Sequence, residues 1–336
     1  MLFERGVHDA FATPNSGDGF MKIRSRDLLE IIIISWLLIA ALLVPPRYWH
    51  HICRWGASIS AKLRTGAFQR NVSHIRAIID QKVINQSPEE IELGRLAAEY
   101  YDRLLILKQY WPAGWNPSMR LFGAEKLISA LERNSGIILW VNDCAGSRLV
   151  TKMALHDAGF AVSHLSRPTH GFIRTEFGAS VLNRLWTRIE DRYLDERITI
   201  IKENRHAALK TLRQRLKEKR IVSITVGPWA RRMAEVSFFS AKMRVPTGPV
   251  WLAMEFDAVL LPVFTNRSED GSFEVRIADA IKLSNTGDDE DTVQSAVQRM
   301  AADLRVFVTK YPGQWRGWFG IRPDRILRSR VSSVPE

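Results

Sequence analysis

The chain has 336 residues, of which 48 are basic and 36 acidic, giving a formal net charge of +12 at pH 7. This length suits one or two domains, and the basic balance favours an anionic partner: nucleic acid, an acidic protein or an anionic membrane surface. The only cysteines are Cys53 and Cys144, and they lack the spacing of metal ligands. The sequence therefore supports neither a disulfide framework nor a structural zinc site. A reducing compartment is the default expectation. No cofactor or metal is predicted.

The amino-terminal region predicts a polar segment followed by a membrane anchor. Residues 1–27 are polar and irregular, which favours disorder, and residues 28–46 contain a strongly apolar run. The uncharged part, Ile31–Val44, is short for the roughly 20 residues of a spanning helix. A tilted span and a shallow anchor are therefore both open. Basic residues that flank the run predict a main body on the cytoplasmic side.

Residues 47–325 are predicted to form the main domain, with a helical amino-terminal part, and residues 326–336 a tail. Ser87, Pro88 and two following acids indicate the start of a long helix. From Gly136 onward short apolar runs alternate with helical periods, which predicts an α/β fold. The predicted strands are Ile137–Val141, Phe160–Leu165, Ile198–Ile201, Ile221–Val226, Val259–Thr265 and Phe273–Ile277. The predicted helices are Ser147–Ala158, Arg174–Arg192, Arg205–Lys219, Gly248–Phe256 and Thr292–Thr309.

A charged pair, Asp143 and Arg148, lies where the predicted strand Ile137–Val141 runs into a helix. Ligands of open α/β sheets bind at the carboxyl ends of strands. The pair is therefore either part of a former active site or a helix cap with an ion pair.

Other residues have a functional and a structural interpretation. His170 follows the end of a predicted strand, which would place it on the crevice side. His164 lies in a predicted strand and is interpreted as a core residue. Cys144 is interpreted in the same way, because a nucleophilic thiol needs a base within reach. The basic stretch Lys210–Arg220 is either a solvated helix face or a docking surface for an acidic carrier protein or anionic lipid. No nucleic-acid-binding module is recognisable, and the anchor favours a membrane.

Seven short stretches carry a family resemblance, and they follow one another in a fixed order. They are Phe68-Gln-Arg-Asn71, Gly136–Leu139, Arg167-Pro168, Phe238-Phe239, Pro246–Ala253, Pro262–Arg267 and Tyr311–Trp318. Over about residues 25 to 323 the chain resembles the bacterial lipid A biosynthesis acyltransferases, the lauroyl/myristoyl transferases of the lysophospholipid acyltransferase superfamily. The resemblance implies a mixed sheet flanked by helices, an amino-terminal anchor and a location at the bacterial inner membrane.

The resemblance also implies an activity and a set of site residues. Such enzymes move a fatty acyl chain from acyl carrier protein or acyl-CoA to a lipid or glycolipid. They carry a histidine with an acid five residues later, and here these positions hold Asp143 and Arg148. The predicted catalytic residues are Asp143 and Arg148, from these motif positions, and His170, from its place after a strand end. The implied substrate-binding residues are Arg167, Gly248 and Arg267.

Because Asp143 and Arg148 stand in place of the histidine and the acid, two functions remain open. An ordinary aspartate titrates near 3.9 and a histidine near 6.5, and a neighbouring arginine would favour the anion further. Asp143 is therefore predicted to be a weak base, and ordinary transfer to be slow. The alternative is a catalytically inactive relative that binds acyl lipid or a partner enzyme.

Overall fold

The computed structural model describes residues 25–110, 115–167, 183–201, 204–227, 230, 232–283 and 288–323. Of the segment 1–27 that was predicted to be disordered, residues 1–24 lie outside the described residues, whereas residues 25–27 belong to the first helix. The predicted tail, residues 326–336, also lies outside them. The amino-terminal part consists of helices α1 (Ser25–Leu43), α2 (Trp49–Leu63), α3 (Thr65–Ile78) and α4 (Pro88–Lys108). The predicted start of α4 is confirmed, because the Ser87 side chain accepts a hydrogen bond from Glu90 N and the Glu90 carboxylate accepts one from Ser87 N.

Helix α1 contains the predicted anchor, and it packs against the protein. Among the described residues, no helix is both long and apolar enough to cross a membrane, so the predicted span finds no support. Leu37 and Ala41 are fully buried, and Arg103 on α4 donates a hydrogen bond of 2.8 Å to Glu30. One side of α1 therefore belongs to the protein core.

A seven-stranded mixed sheet follows, in the order β1-β9-β8-β2-β5-β3-β4. All neighbouring pairs are parallel except β8 and β9, so β1 and β9 run opposite to the other five strands. The α/β fold with a mixed sheet is thus confirmed. Its strands are β1 (Met119–Phe122), β2 (Ile137–Val141), β3 (Val162–Ser166), β4 (Glu196–Thr199), β5 (Ile221–Thr225), β8 (Val259–Arg267) and β9 (Phe273–Ile277).

Helices cover both faces of this sheet, which explains the apolar runs of its central strands. Ile138 and Trp140 of β2 face one core cluster, whereas Ile137, Leu139 and Val141 face the other. The remaining described helices are α5 (Ala124–Glu132), α6 (Val150–Asp157), α7 (Asn183–Glu190), α8 (Arg205–Lys217), α9 (Gly248–Phe256) and α10 (Asp289–Lys310).

A second, antiparallel sheet was not predicted. It has the order β10-β7-β6 and consists of β6 (Met233–Phe238), β7 (Ala241–Pro246) and β10 (Ile321–Pro323). Its buried residues, among them Phe238 and Val245, join the cluster that also contains residues of α8, α9 and α10. The hairpin thus brings the carboxyl-terminal segment against the main sheet.

Candidate functional site

The turn between β2 and α6 carries Asp143, and it is longer than predicted. Helix α6 begins at Val150 rather than Ser147, and no side chain caps it. The predicted capping role of Asp143 is therefore wrong, because its carboxylate lies well before the first helical residue and has ionic partners instead.

Backbone contacts hold this turn in place. Gly146 N donates to Asp102 Oδ1 on α4 over 2.9 Å, and Ala145 N donates to the carbonyl oxygen of Gln314 over 2.8 Å. Gly146 has a φ of 76°, and a Cβ there would lie 2.7 Å from the Phe273 ring. The turn therefore requires glycine at this position.

Within the described part of the chain, two arginines pair with Asp143. Arg148 Nη2 lies 3.7 Å from Oδ2, so the predicted ion pair is confirmed, although this is a long contact. Arg316 Nη1 donates to Oδ1 over 3.0 Å, and Arg316 N donates to the carbonyl oxygen of Asp143 over 3.0 Å. Of these two arginines, Arg316 makes the closer contact with Asp143, and it lies in the carboxyl-terminal segment.

Arg316 joins three parts of the chain. Its Nη2 donates to Asp102 Oδ2 over 2.5 Å, and its Nη1 also donates to the carbonyl oxygen of Cys144. The side chain is only 5% exposed. Burial opposes its charge, but the carboxylates of Asp102 and Asp143 outweigh this effect and hold the pKa of Arg316 above its usual value. Arg316 therefore fixes the position of the Asp143 turn relative to α4.

A ladder of ion pairs runs along α4 beside this turn. It links Glu92, Arg95, Glu99, Arg103 and Glu30 in succession. Burial would raise the pKa of Glu99, but the neighbouring arginines lower it below its usual value. The charges around the Asp143 turn are thus compensated within the protein.

Arg167 lies at the same edge of the sheet as Asp143. The strands β2, β5 and β3 are parallel neighbours, so Asp143 after β2 and Arg167 after β3 are separated by one strand, a spacing of roughly 10 Å. Arg167 is exposed. His170 lies outside the described residues, and its predicted role stays a prediction.

Gly248 is the first residue of α9 and is exposed. Because α9 returns the chain to the start of β8, Gly248 lies towards the carboxyl edge of the sheet. A Cβ there would meet nothing within 4 Å, so packing does not require glycine. Its predicted substrate-binding role stays a prediction.

Arg267, at the end of β8, is held by several groups. Its backbone N donates to Gln314 Oε1 over 2.7 Å, and its Nη2 contacts His50 Nδ1 at 3.0 Å. The guanidinium carbon lies 4.0 Å from the centroid of the Tyr101 ring. Partial burial, followed by the charges of Arg267 and Arg54, lowers the pKa of His50. The guanidinium thus links β8 to α2 and α4, and substrate binding by it stays a prediction.

The described residues contain no group of three or more histidine, cysteine or acidic side chains that could hold a metal ion. Cys144 is fully buried, and burial raises the pKa of its thiol. His164 is buried as well, and its Nδ1 lies 2.8 Å from Ser223 Oγ. Both residues therefore lie in the core, as predicted.

Sequence reasoning missed Arg316 and Asp102. The stretch Tyr311–Trp318 carries only the family resemblance, and no pattern within it marks Arg316 as a buried cation. Asp102 interrupts the apolar side of α4, and an acid at such a position indicates a buried partner.

Comparison with protein families gives a match over most of the main domain. A family model described as bacterial lipid A biosynthesis acyltransferase matches residues 109–322, more than half of the chain. This region contains the Asp143 turn, Arg167, the hairpin of β6 and β7, and Arg316. No individual curated protein matches the chain.

Proposed function

Because this chain belongs to the bacterial lipid A biosynthesis acyltransferase family, we propose that it transfers a fatty acyl chain from a thioester of acyl carrier protein or coenzyme A to a glycolipid of the lipid A type. An acceptor hydroxyl oxygen attacks the thioester carbonyl carbon, an ester bond forms and the carbon–sulfur bond breaks. A base takes the hydroxyl proton, and the sulfur of the departing thiolate takes up a proton to become the thiol.

The observation that carries this proposal is the Asp143 turn at the carboxyl edge of the sheet, which Arg316 and Asp102 hold in place. By the resemblance of the sequence, Asp143 stands where family members carry their catalytic histidine. Asp143 would accept the hydroxyl proton. Arg167, exposed at the same edge, would place a cation near the developing oxyanion or a substrate phosphate.

Asp143 is a weak base for this step. An ordinary aspartate is about 2.6 pKa units less basic than histidine, and both carboxylate oxygens of Asp143 already contact arginines. General base catalysis contributes about 10² to 10⁴-fold. The proposed transfer is therefore slower than that of relatives with the histidine.

The proposal includes association with the bacterial inner membrane from its cytoplasmic side, through a shallow anchor. Leu43 on α1 and Leu63 on α2 are 77% and 79% exposed, and the rings of Trp36 and Trp55 connect the two helices with centroids 6.1 Å apart. Such apolar helix faces suit a position within one leaflet.

Flotation with lipid vesicles tests the anchor. Changing both Leu43→Ser and Leu63→Ser should reduce the fraction of protein that floats with the vesicles. The matched control is Val306→Ser on α10, where the side chain is 74% exposed. Equal flotation of the double variant and the wild type would refute the shallow anchor.

A catalytically inactive relative is the second candidate, and the ion pairs of Asp143 favour it. A carboxylate already bonded to Arg316 can serve to hold the turn rather than to move a proton. Such a protein would bind acyl lipid or a partner enzyme in the same place.

Mass spectrometry separates the two candidates. Purified full-length chain is incubated with an acyl thioester and a lipid A-type acceptor, and the acceptor mass is followed. An increase by one acyl chain supports the transferase. Acceptor that binds without any gain in mass supports the inactive relative.

A further inference from the structure

Helix α8 carries a stripe of cations on its outer side. Its sequence, Arg205–Lys217, contains five lysines or arginines and no acid. The opposite side packs into the core through Ala208, Leu212 and Leu216. Four exposed residues recur at spacings of four and three and so share one side of the helix. These residues, here named the α8 basic surface, are His206, Lys210, Arg213 and Lys217.

This surface keeps much of its charge available to a partner. Lys210 and Lys217 form no ion pair within the part of the chain that the structure describes. Arg213 lies 3.1 Å from Glu255, and both side chains are about half exposed. Exposed pairs of this kind contribute little and exchange easily.

The position of α8 relates this surface to the site. Helix α8 follows β4, which runs parallel to β3, so its first turn begins at the carboxyl edge of the sheet, where Asp143 and Arg167 lie. A molecule bound along α8 would therefore have one end beside this edge.

The layer that contains α8 argues against a membrane as the ligand. The buried residues of α8 belong to the core cluster on one face of the seven-stranded sheet, together with residues of α9 and α10. The exposed apolar residues of α1 and α2 lie in the layer on the other face. A bilayer that receives α1 and α2 would leave the α8 basic surface turned towards the aqueous side.

We infer that the α8 basic surface docks an acidic protein that presents the acyl thioester to the Asp143 turn. This inference rests on the proposed transfer and deepens it, because it assigns the carrier protein a binding place on the molecule. Complementary charge would speed association and orient the donor.

Binding of holo-acyl carrier protein without an acyl chain tests the inference apart from catalysis. Full-length chain in detergent is titrated with the labelled carrier protein. The variant combines Lys210→Glu with Lys217→Glu. The matched control combines Lys282→Glu with Arg305→Glu, which reverses two exposed charges outside α8. Thermal unfolding of both double variants checks that the fold is retained.

The α8 variant should bind about tenfold more weakly than the wild type, the control should stay within about twofold, and added salt should weaken wild-type binding. Equal binding by the α8 variant, or absence of wild-type binding, would overturn the inference. If the α8 variant lost binding to phosphatidylglycerol vesicles or to RNA but still bound the carrier protein, the inference would also be overturned. Carrier-protein binding without acyl transfer would refute the proposed enzyme but keep the docking surface.

Discussion

Arginines serve different purposes in two regions of this protein. Arg316 is buried, bonds to two carboxylates and two main-chain groups, and holds the Asp143 turn. Arg213 on α8 is half exposed and has one surface partner. Buried charges must be paired because an isolated one is costly, whereas exposed charges contribute little to stability. The contrast separates residues that fix geometry from residues available for binding.

The largest expected effect concerns the buried region. Arg316→Met should lower the free energy of unfolding by about 3–5 kcal/mol, since it leaves Asp102 buried without its cation. Burial already raises the pKa of Asp102, and loss of Arg316 would raise it further. Urea denaturation measures the change.

Arg213→Met is the matched control, because it removes a surface pair of the same chemistry. Its cost should stay below about 1 kcal/mol. Similar losses for Arg213→Met and Arg316→Met would contradict the distinction between the two regions.

A double exchange tests whether the turn keeps a catalytic geometry. The side chains of Asp143 and Arg148 already meet, at 3.7 Å, so Asp143→His with Arg148→Glu should restore the histidine–acid pair of the family. Transfer should rise on the order of 10²-fold, the lower range for general base catalysis. Each single change should do worse, because Asp143→His alone leaves the imidazole beside both Arg148 and Arg316, and Arg148→Glu alone places a second carboxylate beside Asp143.

Transfer rates of the four proteins, measured with the same donor and acceptor, provide the comparison. A single variant that equals the double would show that the two positions do not act as a pair. Unchanged circular dichroism provides the control for folding.

Much of the fold was predictable, because apolar runs and periodicity are local signals. The predicted bounds of β2, β9 and α9 agree with the structure. Strand β1 has only four residues and one exposed side chain among them, too little pattern to recognise. In the hairpin, polar residues such as Glu235 and Lys242 alternate with apolar ones and occupy the solvated side. This alternation is itself a strand signal, so the hairpin, unlike β1, was predictable.

The centre of the site was less predictable, because it depends on contacts between distant residues. Asp143 and Arg148 are close in sequence, and their pairing was predicted. Arg316 and Asp102 are 214 residues apart, and no local pattern indicates that they meet. The role of Arg316 becomes apparent only in the folded protein, where the carboxyl-terminal segment lies across the Asp143 turn.

A smaller effect is expected from His50, at the margin of the buried region. Its neighbours are Arg267, Arg54, His51 and Glu269, and burial with the nearby cations lowers its pKa below the usual 6.5. The unfolded chain therefore binds a proton at a higher pH than the folded protein. Stability should fall as the pH decreases through and below about 6.5.

Thermal unfolding of the wild type and of His50→Gln measures this loss. The pH is varied in steps of roughly half a unit between about 7.5 and 5, the range in which histidine titrates. The variant should show a shallower decrease. Parallel curves would assign the pH dependence to other groups.

The most direct test of the account is acyl transfer by the wild type and by Asp143→Ala. The account predicts slow but measurable wild-type transfer to a lipid A-type acceptor and its loss in Asp143→Ala, with the variant still folded. Robust transfer that survives Asp143→Ala would place the chemistry elsewhere, with His170 the next residue to change, and would contradict the role given to the Asp143 turn.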